Sequence, residues 1–305
     1  MKKYVIKRVL MAIVTVFIVA TLTFFLMNLV PGGPFMSEKA ISPQAQAALE
    51  AKYGLDKPLG QQYITYMTDA LHGDFGDSLK QRGRTVTQII LSKFPVSAKV
   101  GGLAILVAVC LGIPLGCIAA LNRGKFLDNL ISVISTCGIA VPSFVICTLL
   151  MYFLGVHLKL LPTFGLASWK NYIMPVASLA FYPTAYIMRL MRSSMLDVLG
   201  QDYMRTARAK GLTQFISLFK HALRNAVLPV VTYLGPMMAY TLTGSFVVEK
   251  IFTIPGLGSQ FIGSINNRDY PIIMGTTIFL ATLMIVMNVL VDIVYKLVDP
   301  RIKLK

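Results

Sequence analysis

Ten consecutive residues, Asp202-Tyr203-Met204-Arg205-Thr206-Ala207-Arg208-Ala209-Lys210-Gly211, hold the side chains of this sequence best suited to recognition, and His221-Ala222-Leu223-Arg224-Asn225 follows soon after. Ala207 and Gly211 are four apart, so on a helix they form a small-residue strip that another backbone can approach closely. Arg205, Arg208 and Lys210 around the strip suit an acidic or carbonyl-rich groove. This is docking chemistry. Composition alone also allows a solvated loop that binds lipid head groups.

Catalytic chemistry finds no comparable support. The sequence has no Gly-x-x-x-x-Gly-Lys-Ser/Thr phosphate loop, no His-Glu-x-x-His zinc helix and no Gly-x-Ser-x-Gly nucleophile turn. His72, His157 and His221 are scattered, and Cys110, Cys117, Cys137 and Cys147 fall in apolar stretches without paired ligand spacing. The cysteines read as small packing residues. No catalytic residue, no metal site and no cofactor bound by this chain is expected.

The elements that must position the basic loop are apolar. With 55% hydrophobic and 14% charged residues over 305 positions and a mean hydropathy of +0.68, the composition is that of a membrane protein. Six uncharged stretches, 9–30, 100–121, 130–156, 172–188, 226–248 and 272–291, are each long enough to cross a bilayer as a helix. They are continuously apolar rather than alternating, which predicts an all-α bundle and not a barrel. The first stretch is too long for a signal core, so it stays as a helix.

The net charge of +16 is explained by where the cations lie. One side collects Lys2, Lys3, Lys7 and Arg8, then Arg123 and Lys125, the cations from Arg189 to Arg224, and Lys296, Arg301, Lys303 and Lys305. The opposite short connections carry only Lys159, Lys170, Lys250 and Arg268. The positive-inside rule then puts both termini and the loop 189–225 in the cytoplasm of a multi-pass membrane protein. This asymmetry removes the need to invoke nucleic acid.

Residues 31–95 form a segment outside the membrane, within one domain spanning 1–305. Ser42-Pro43 starts a helix over 43–53, and Gly54 stops it. Leu59, Tyr63, Tyr66, Met67, Ala70 and Leu71 give a second helix with one apolar face, ended by Gly73. Val86, Ile89, Ile90 and Phe94 mark a third amphipathic piece, and all three are expected on the membrane surface or capping the bundle. Pro114, Pro142, Pro175, Pro183, Pro229 and Pro236 disturb the spans, either as kinks beside a water-filled path or as packing kinks. Gly112-x-x-x-Gly116 allows a close helix contact. Asp292 pairs with Lys296 one turn later, in preference to serving as a proton relay. Tyr233, Met237, Tyr240 and Gly244 share one face of the fifth span, as path lining or as helix packing; hydroxyls and a soft thioether tolerate varied side chains.

At residues 202–225 the sequence resembles the signature cytoplasmic loop of binding-protein-dependent ABC importers of the peptide subfamily. Lys52-Tyr-Gly-Leu-Asp-Lys-Pro58, Gly73-Asp-Phe-Gly76, Glu249-Lys-Ile-Phe-Thr-Ile-Pro-Gly-Leu-Gly258, Arg268-Asp-Tyr-Pro271 and Asp299-Pro-Arg301 extend the likeness over essentially the whole chain. Together they are similar to the B-type permease subunit of oligopeptide and dipeptide importers. Arg205-Thr206-Ala207 stands where the general importer motif has Glu-Ala-Ala, which leaves no Glu there for a salt bridge.

The resemblance implies the type I ABC importer permease fold and transport of peptides, oligopeptides first, with dipeptides, nickel chelates or related cargo as alternatives. It implies a second homologous permease subunit, two ATPase subunits that bind ATP and Mg, an external peptide-binding protein, and surrounding membrane lipid. Asp202 and the helix 203–212, ending at Leu212, would then couple to the ATPase. Glu249, Ile254, Pro255, Gly256, Leu257 and Gly258 would face the binding protein, or else cap the last two spans. A stand-alone ion-coupled carrier and a scaffold are the readings from other classes. The first should show intramembrane charge, for which only Asp292 offers itself, and the second has no need of kinked, polar-striped helices.

Overall fold

The computed structural model describes residues 2–29, 33–35, 43–242 and 246–298, without the side chains of 2–7, 43, 45, 208, 214 and 291–298. The expectations for Asp292 with Lys296, and for Asp299-Pro-Arg301, lie outside the described residues and side chains. The described residues form helices, with one isolated β-bridge between Asp77 and Thr85. In chain order these are α1 (Lys2–Leu29), α2 (Pro43–Lys52), α3 (Leu59–Leu71), α4 (Val86–Leu121) and α5 (Phe126–Ala140). Next come α6 (Ser143–Leu150), continued by a π-helical stretch Met151–His157, α7 (Lys170–Leu199), α8 (Asp202–Ala209) and α9 (Gln214–Ile216). A second π-helical stretch, Ser217–Ala222, leads into α10 (Leu223–Ala226), α11 (Leu228–Leu242), α12 (Phe246–Ile251), α13 (Leu257–Asn267) and α14 (Tyr270–Val298).

Three helical segments, Arg8–Leu29, Val86–Leu121 and Tyr270–Leu290, are long and apolar enough to cross a bilayer alone. Two bent pairs reach that length together: Phe126–Ala140 with Ser143–His157, turned by 105°, and Ser217–Ala226 with Leu228–Ile251. Pro142 stands at the first break and Pro229 beside the second, where a ring in place of an N–H interrupts the helix ladder. The remaining expected span, 172–188, lies inside α7, which falls short of the same apolarity. Its surroundings explain the difference. Asn171, Pro175, Ser178, Pro183 and Thr184 are all buried, so α7 faces neighbouring helices and needs no apolar coat against lipid.

The chain comprises two compact units. One contains Lys2–Val96 and Pro255–Leu283. Its core is Val86, Ile89 and Ile90 with Leu257 and Ile272, joined by Phe75, Phe94 and Phe279. The amphipathic piece at Val86 is thus not a surface element: Val86 and Ile89 have no exposure, and the helix runs on through Pro95 into α4. A Cβ on Gly275 would stand 2.5 Å from Val86 Cγ1 and 3.0 Å from Phe75 Cβ, which accounts for a glycine there. On the flank, α3 rests on α1: the hydroxyls of Tyr63 and Thr21 are 2.7 Å apart, and the Tyr63 ring packs on Phe24 and Phe25. Buried Asp269 accepts hydrogen bonds from the Ser78 hydroxyl and the Leu79 and Lys80 amides, pinning the turn ahead of α4.

The other unit contains Ser97–Ile254 and the chain from Met284 onward. Within it α7 is central, packed by α5, α6, α10, α11 and α12. Its core gathers Ile187, Met191 and Met195 of α7 with Met204, Ala222, Ala226 and Val230. Gly112 and Gly116 let α4 touch α7: added Cβ atoms would lie 2.7 Å from Ile187 Cγ2 and 2.7 Å from the Met188 carbonyl oxygen. The small-residue motif therefore serves contact within the chain. The start of α7 is fixed by Asn171, whose Oδ1 accepts from Ser168 Oγ at 2.7 Å and whose Nδ2 donates to the Phe164 carbonyl at 2.7 Å.

Candidate functional site

The basic loop is built on the end of α7. After Gly200 and Gln201 the chain enters α8, which is held by two apolar anchors: Met204, 1% exposed, and Ala207, 7% exposed. Asp202, Tyr203, Arg205, Thr206, Ala209, Lys210, Gly211 and Leu212 are exposed. The Arg205 guanidinium approaches the Asp202 carboxylate at 3.5 Å, with both side chains largely in solvent. The Arg208 side chain lies outside the described residues.

Two backbone bonds close α8, from Lys210 N to the Thr206 carbonyl at 3.0 Å and from Leu212 N to the Ala207 carbonyl at 3.3 Å. They require Gly211 in the left-handed region, at φ +73°, where a Cβ costs energy. A Cβ there would meet nothing within 4 Å, so conformation and not crowding selects glycine. The small-residue strip is corrected accordingly. Ala207 turns inward and Gly211 lies beyond the helix, so the exposed side of α8 is made by Asp202, Tyr203, Arg205, Thr206 and Ala209. Tyr203 ties the two halves of the motif together, because its hydroxyl accepts from Asn225 Nδ2 at 2.8 Å.

Sequence reasoning missed the joint beneath this arm. Asp128, 2% exposed near the start of α5, takes two hydrogen bonds from Arg192 of α7, the Nη2 bond at 2.8 Å, and a third from the Gly124 amide at 2.9 Å. A bidentate guanidinium–carboxylate pair fixes orientation as well as distance. The only signal available was an isolated acid among Arg123, Lys125 and Arg192, and the partners are 64 residues apart.

Three of the four nominated path residues meet. Tyr233, Met237 and Tyr240 border a cavity of about 610 Å³ with Tyr182 of α7, Ser178 and the Val141-Pro142 break. Gly244 lies outside the described residues. Met237 is 3% exposed and mostly packed into the core, whereas Tyr240 is 61% exposed. The rings of Tyr186 and Tyr233 are 4.3 Å apart and those of Tyr182 and Tyr186 6.2 Å, forming an aromatic wall. Every residue lining the cavity is uncharged. Tyr182 and Tyr186, four apart on the fourth expected span, were the readable sign of this wall.

The turn after α12 is more enclosed than a contact loop. Glu249, Ile254 and Leu257 are at most 2% exposed, Gly256 and Gly258 are buried, and of the nominated residues only Pro255 is exposed. Glu249 accepts a hydrogen bond from Ser97 Oγ at 2.6 Å, while Leu257 belongs to the core around Val86. This packing fits the capping reading of the turn. Among the described residues no group of three or more His, Cys, Asp or Glu could hold a metal ion.

Residues 112–304 match the family model for the binding-protein-dependent transport system inner membrane component, and residues 1–101 match the N-terminal model of such membrane components. The sequence is 49% identical over 304 residues to the dipeptide transport system permease protein DppB of Bacillus subtilis, covering 100% of this chain and 99% of that one. It is 44% identical over 308 residues to the oligopeptide transport system permease protein OppB of Haemophilus influenzae, covering 99% of this chain and 100% of that one. Among solved structures, an inward-facing MetNI methionine ABC transporter chain superposes with a TM-score of 0.56 at 15% identity, over 69% of this chain and 96% of that chain. At that identity the likeness carries the fold, that of a type I importer permease.

Proposed function

Because the chain belongs to the family of binding-protein-dependent transport system inner membrane components, we propose that it is a permease subunit that passes peptides through the cytoplasmic membrane, driven by ATPase subunits on separate chains. The observation that carries this reading is α8: a short helix anchored by Met204 and Ala207 that presents a polar face to solvent at the end of the most buried helix. In this reading α8 enters a groove on an ATPase subunit, and both termini lie on the same cytoplasmic side. ATP and Mg bind to those partner subunits, not to this chain. A second permease completes the path, and an external binding protein delivers the peptide.

Motion of the ATPases reaches the bundle through α7, because Arg192 and the core around Met191 and Met195 hold its end to α5 and α8. Rigid-body rocking then exposes the tyrosine-lined cavity alternately to the two sides. A neutral wall of hydroxyls suits cargo whose side chains vary, since it neither repels nor traps charge. Peptides fit that requirement, as do the names of the relatives.

Gly211 supplies the test. In Gly211→Val a β-branched residue is forced to φ +73°, so the end of α8 is expected to unwind, with co-purification of the ATPase subunits and peptide uptake falling at least about tenfold. Gly211→Asn, which tolerates the left-handed region, should keep most of both. Full assembly and uptake in Gly211→Val would remove the coupling role.

A further inference from the structure

The helical segment that follows Gly211 has two apolar sides, and only one of them is packed. Leu218, Ala222 and Ala226 face inward and join the core around Met191 and Met204. On the other side Leu212, Phe215, Ile216 and Phe219 follow each other at spacings of three, one and three, and among the described residues nothing covers them. Phe215 is 68% and Phe219 57% exposed, and their rings lie 4.4 Å apart. Lys220, next to Phe219, and Arg224, one turn further on, are exposed as well, and neither is in an ion pair among the described residues. The sequence holds no acid between Asp202 and Glu249 to balance them.

An outward apolar stripe beside uncompensated cations marks a surface with a partner. Its place in the chain selects that partner. Ser217–Ala226 and Leu228–Ile251 reach the length of a span only together, with a bend of 46° between them, so the stripe stands at the mouth of a span. Phe219 comes seven residues before Ala226, which is about 10 Å of helix. With α11 upright, the bend leaves its ring about 7 Å beyond the hydrocarbon edge. That is the head-group layer, where aromatic rings reach the acyl chains and cations meet phosphates. In the orientation proposed above it belongs to the cytoplasmic leaflet, whose anionic lipids complement Lys220 and Arg224. The polar side of α8, which meets the ATPase in that reading, is set apart from the stripe by the left-handed turn at Gly211.

We infer that residues 212–224 form a seat for an anionic phospholipid, which steadies the coupling arm. Phe215 and Phe219 enter the boundary of the acyl chains, and Lys220 and Arg224 take the lipid phosphate. The seat reaches α8 through Asn225, whose Nδ2 donates to the Tyr203 hydroxyl at 2.8 Å. The lipid seat rests on the proposed orientation; its effect on ATP hydrolysis rests on the permease reading as well.

The first test uses the full chain in mild detergent, offered phosphatidylglycerol and phosphatidylcholine in equal amounts, with native mass spectrometry reading the lipid retained. One tightly held phosphatidylglycerol is expected, its retention reduced about tenfold in Lys220→Gln/Arg224→Gln and about fivefold in Phe215→Ser/Phe219→Ser. Arg123→Gln/Lys125→Gln, which removes the same charge from another exposed loop, should retain it as wild type does. Retention alike in wild type and seat variants, or lost equally in that control, overturns the inference. The second test measures ATP hydrolysis by the assembled importer in nanodiscs with and without phosphatidylglycerol. A rise of about fivefold is expected in wild type and none in the seat variants. A rise that persists in them overturns the inference, and so does loss of the ATPase subunits from them in both lipids, which would make the stripe a protein contact. ATPase subunits missing from wild type sink the permease reading and leave the retained lipid to decide the seat.

Discussion

Asp128 shows how much a single side chain can decide here. Its carboxylate is 2% exposed and collects two guanidinium bonds and a backbone amide, while the Arg192 side chain is 32% exposed. Removing one member of such a pair leaves the other charge partly buried and unmatched, at a cost of about 2 kcal/mol, below that of a fully enclosed pair because water reaches Arg192. Asp128→Asn is therefore expected to lower thermal stability in detergent. It should also reduce peptide uptake more than ATPase co-purification, since α8 keeps its own anchors while the link between α7 and α5 is lost. Equal loss of both would mean that the pair only holds the fold together. Sequence could not show this joint, because an acid among cations 64 residues from its partner reads as ordinary loop charge. Gly211 stands out in the sequence for a different reason: beside Ala207 it reads as half of a small-residue strip, and only the backbone shows that it closes α8 at φ +73°.

At the level of elements, the helices themselves were largely readable and their partners were not. Continuous apolar runs gave α1, α4, α11 and α14, and the spacing in α3 gave its extent to Leu71. The sequence bounds the outer segment at Pro95, yet α4 continues through it, with Val86, Ile89 and Ile90 buried before the ring and Val100 and Ala104 after it. For the turn after Glu249 the sequence left two readings open, a contact loop and a cap. Its packing fits the cap, with Leu257 in the core around Val86.

Glycines on α4 separate packing from propensity. A Cβ on Gly116 would press 2.7 Å from the Met188 backbone oxygen, and one on Gly112 would press 2.8 Å from Ile187 Cβ; neither atom can move without its backbone. One on Gly102 would meet nothing within 4 Å. Gly116→Ala and Gly112→Ala should each destabilise by about 2 kcal/mol, and Gly102→Ala should be neutral or stabilise by up to about 1 kcal/mol. Melting temperatures of the three variants in one detergent check the order; a Gly116→Ala variant as stable as wild type would show that α4 and α7 do not meet at this point.

For the molecule as a whole, the proposed function places opposite demands on its parts: a coupling arm rigid enough to transmit force, and a path indifferent to what it carries. The first is met by the packing of α7, with Met191 and Met195 buried against Met204. The second is met by chemistry, in that the cavity beside Tyr182, Tyr233 and Tyr240 contains no ionisable acid or base other than phenols. Charge in a low-dielectric passage acts strongly and selectively, so adding one should convert indifference into choice. Tyr240 is the position to use, because it is 61% exposed and its replacement leaves the core intact. Tyr240→Glu is expected to slow uptake of peptides with acidic side chains about tenfold relative to neutral ones while sparing basic ones, and Tyr240→Phe should leave all three classes alike. Competition among three otherwise identical tripeptides in proteoliposomes reads the effect. If Tyr240→Glu lowers all three equally, the tyrosine wall is packing and the path runs elsewhere. A charge-dependent split would place the cargo against this wall during passage.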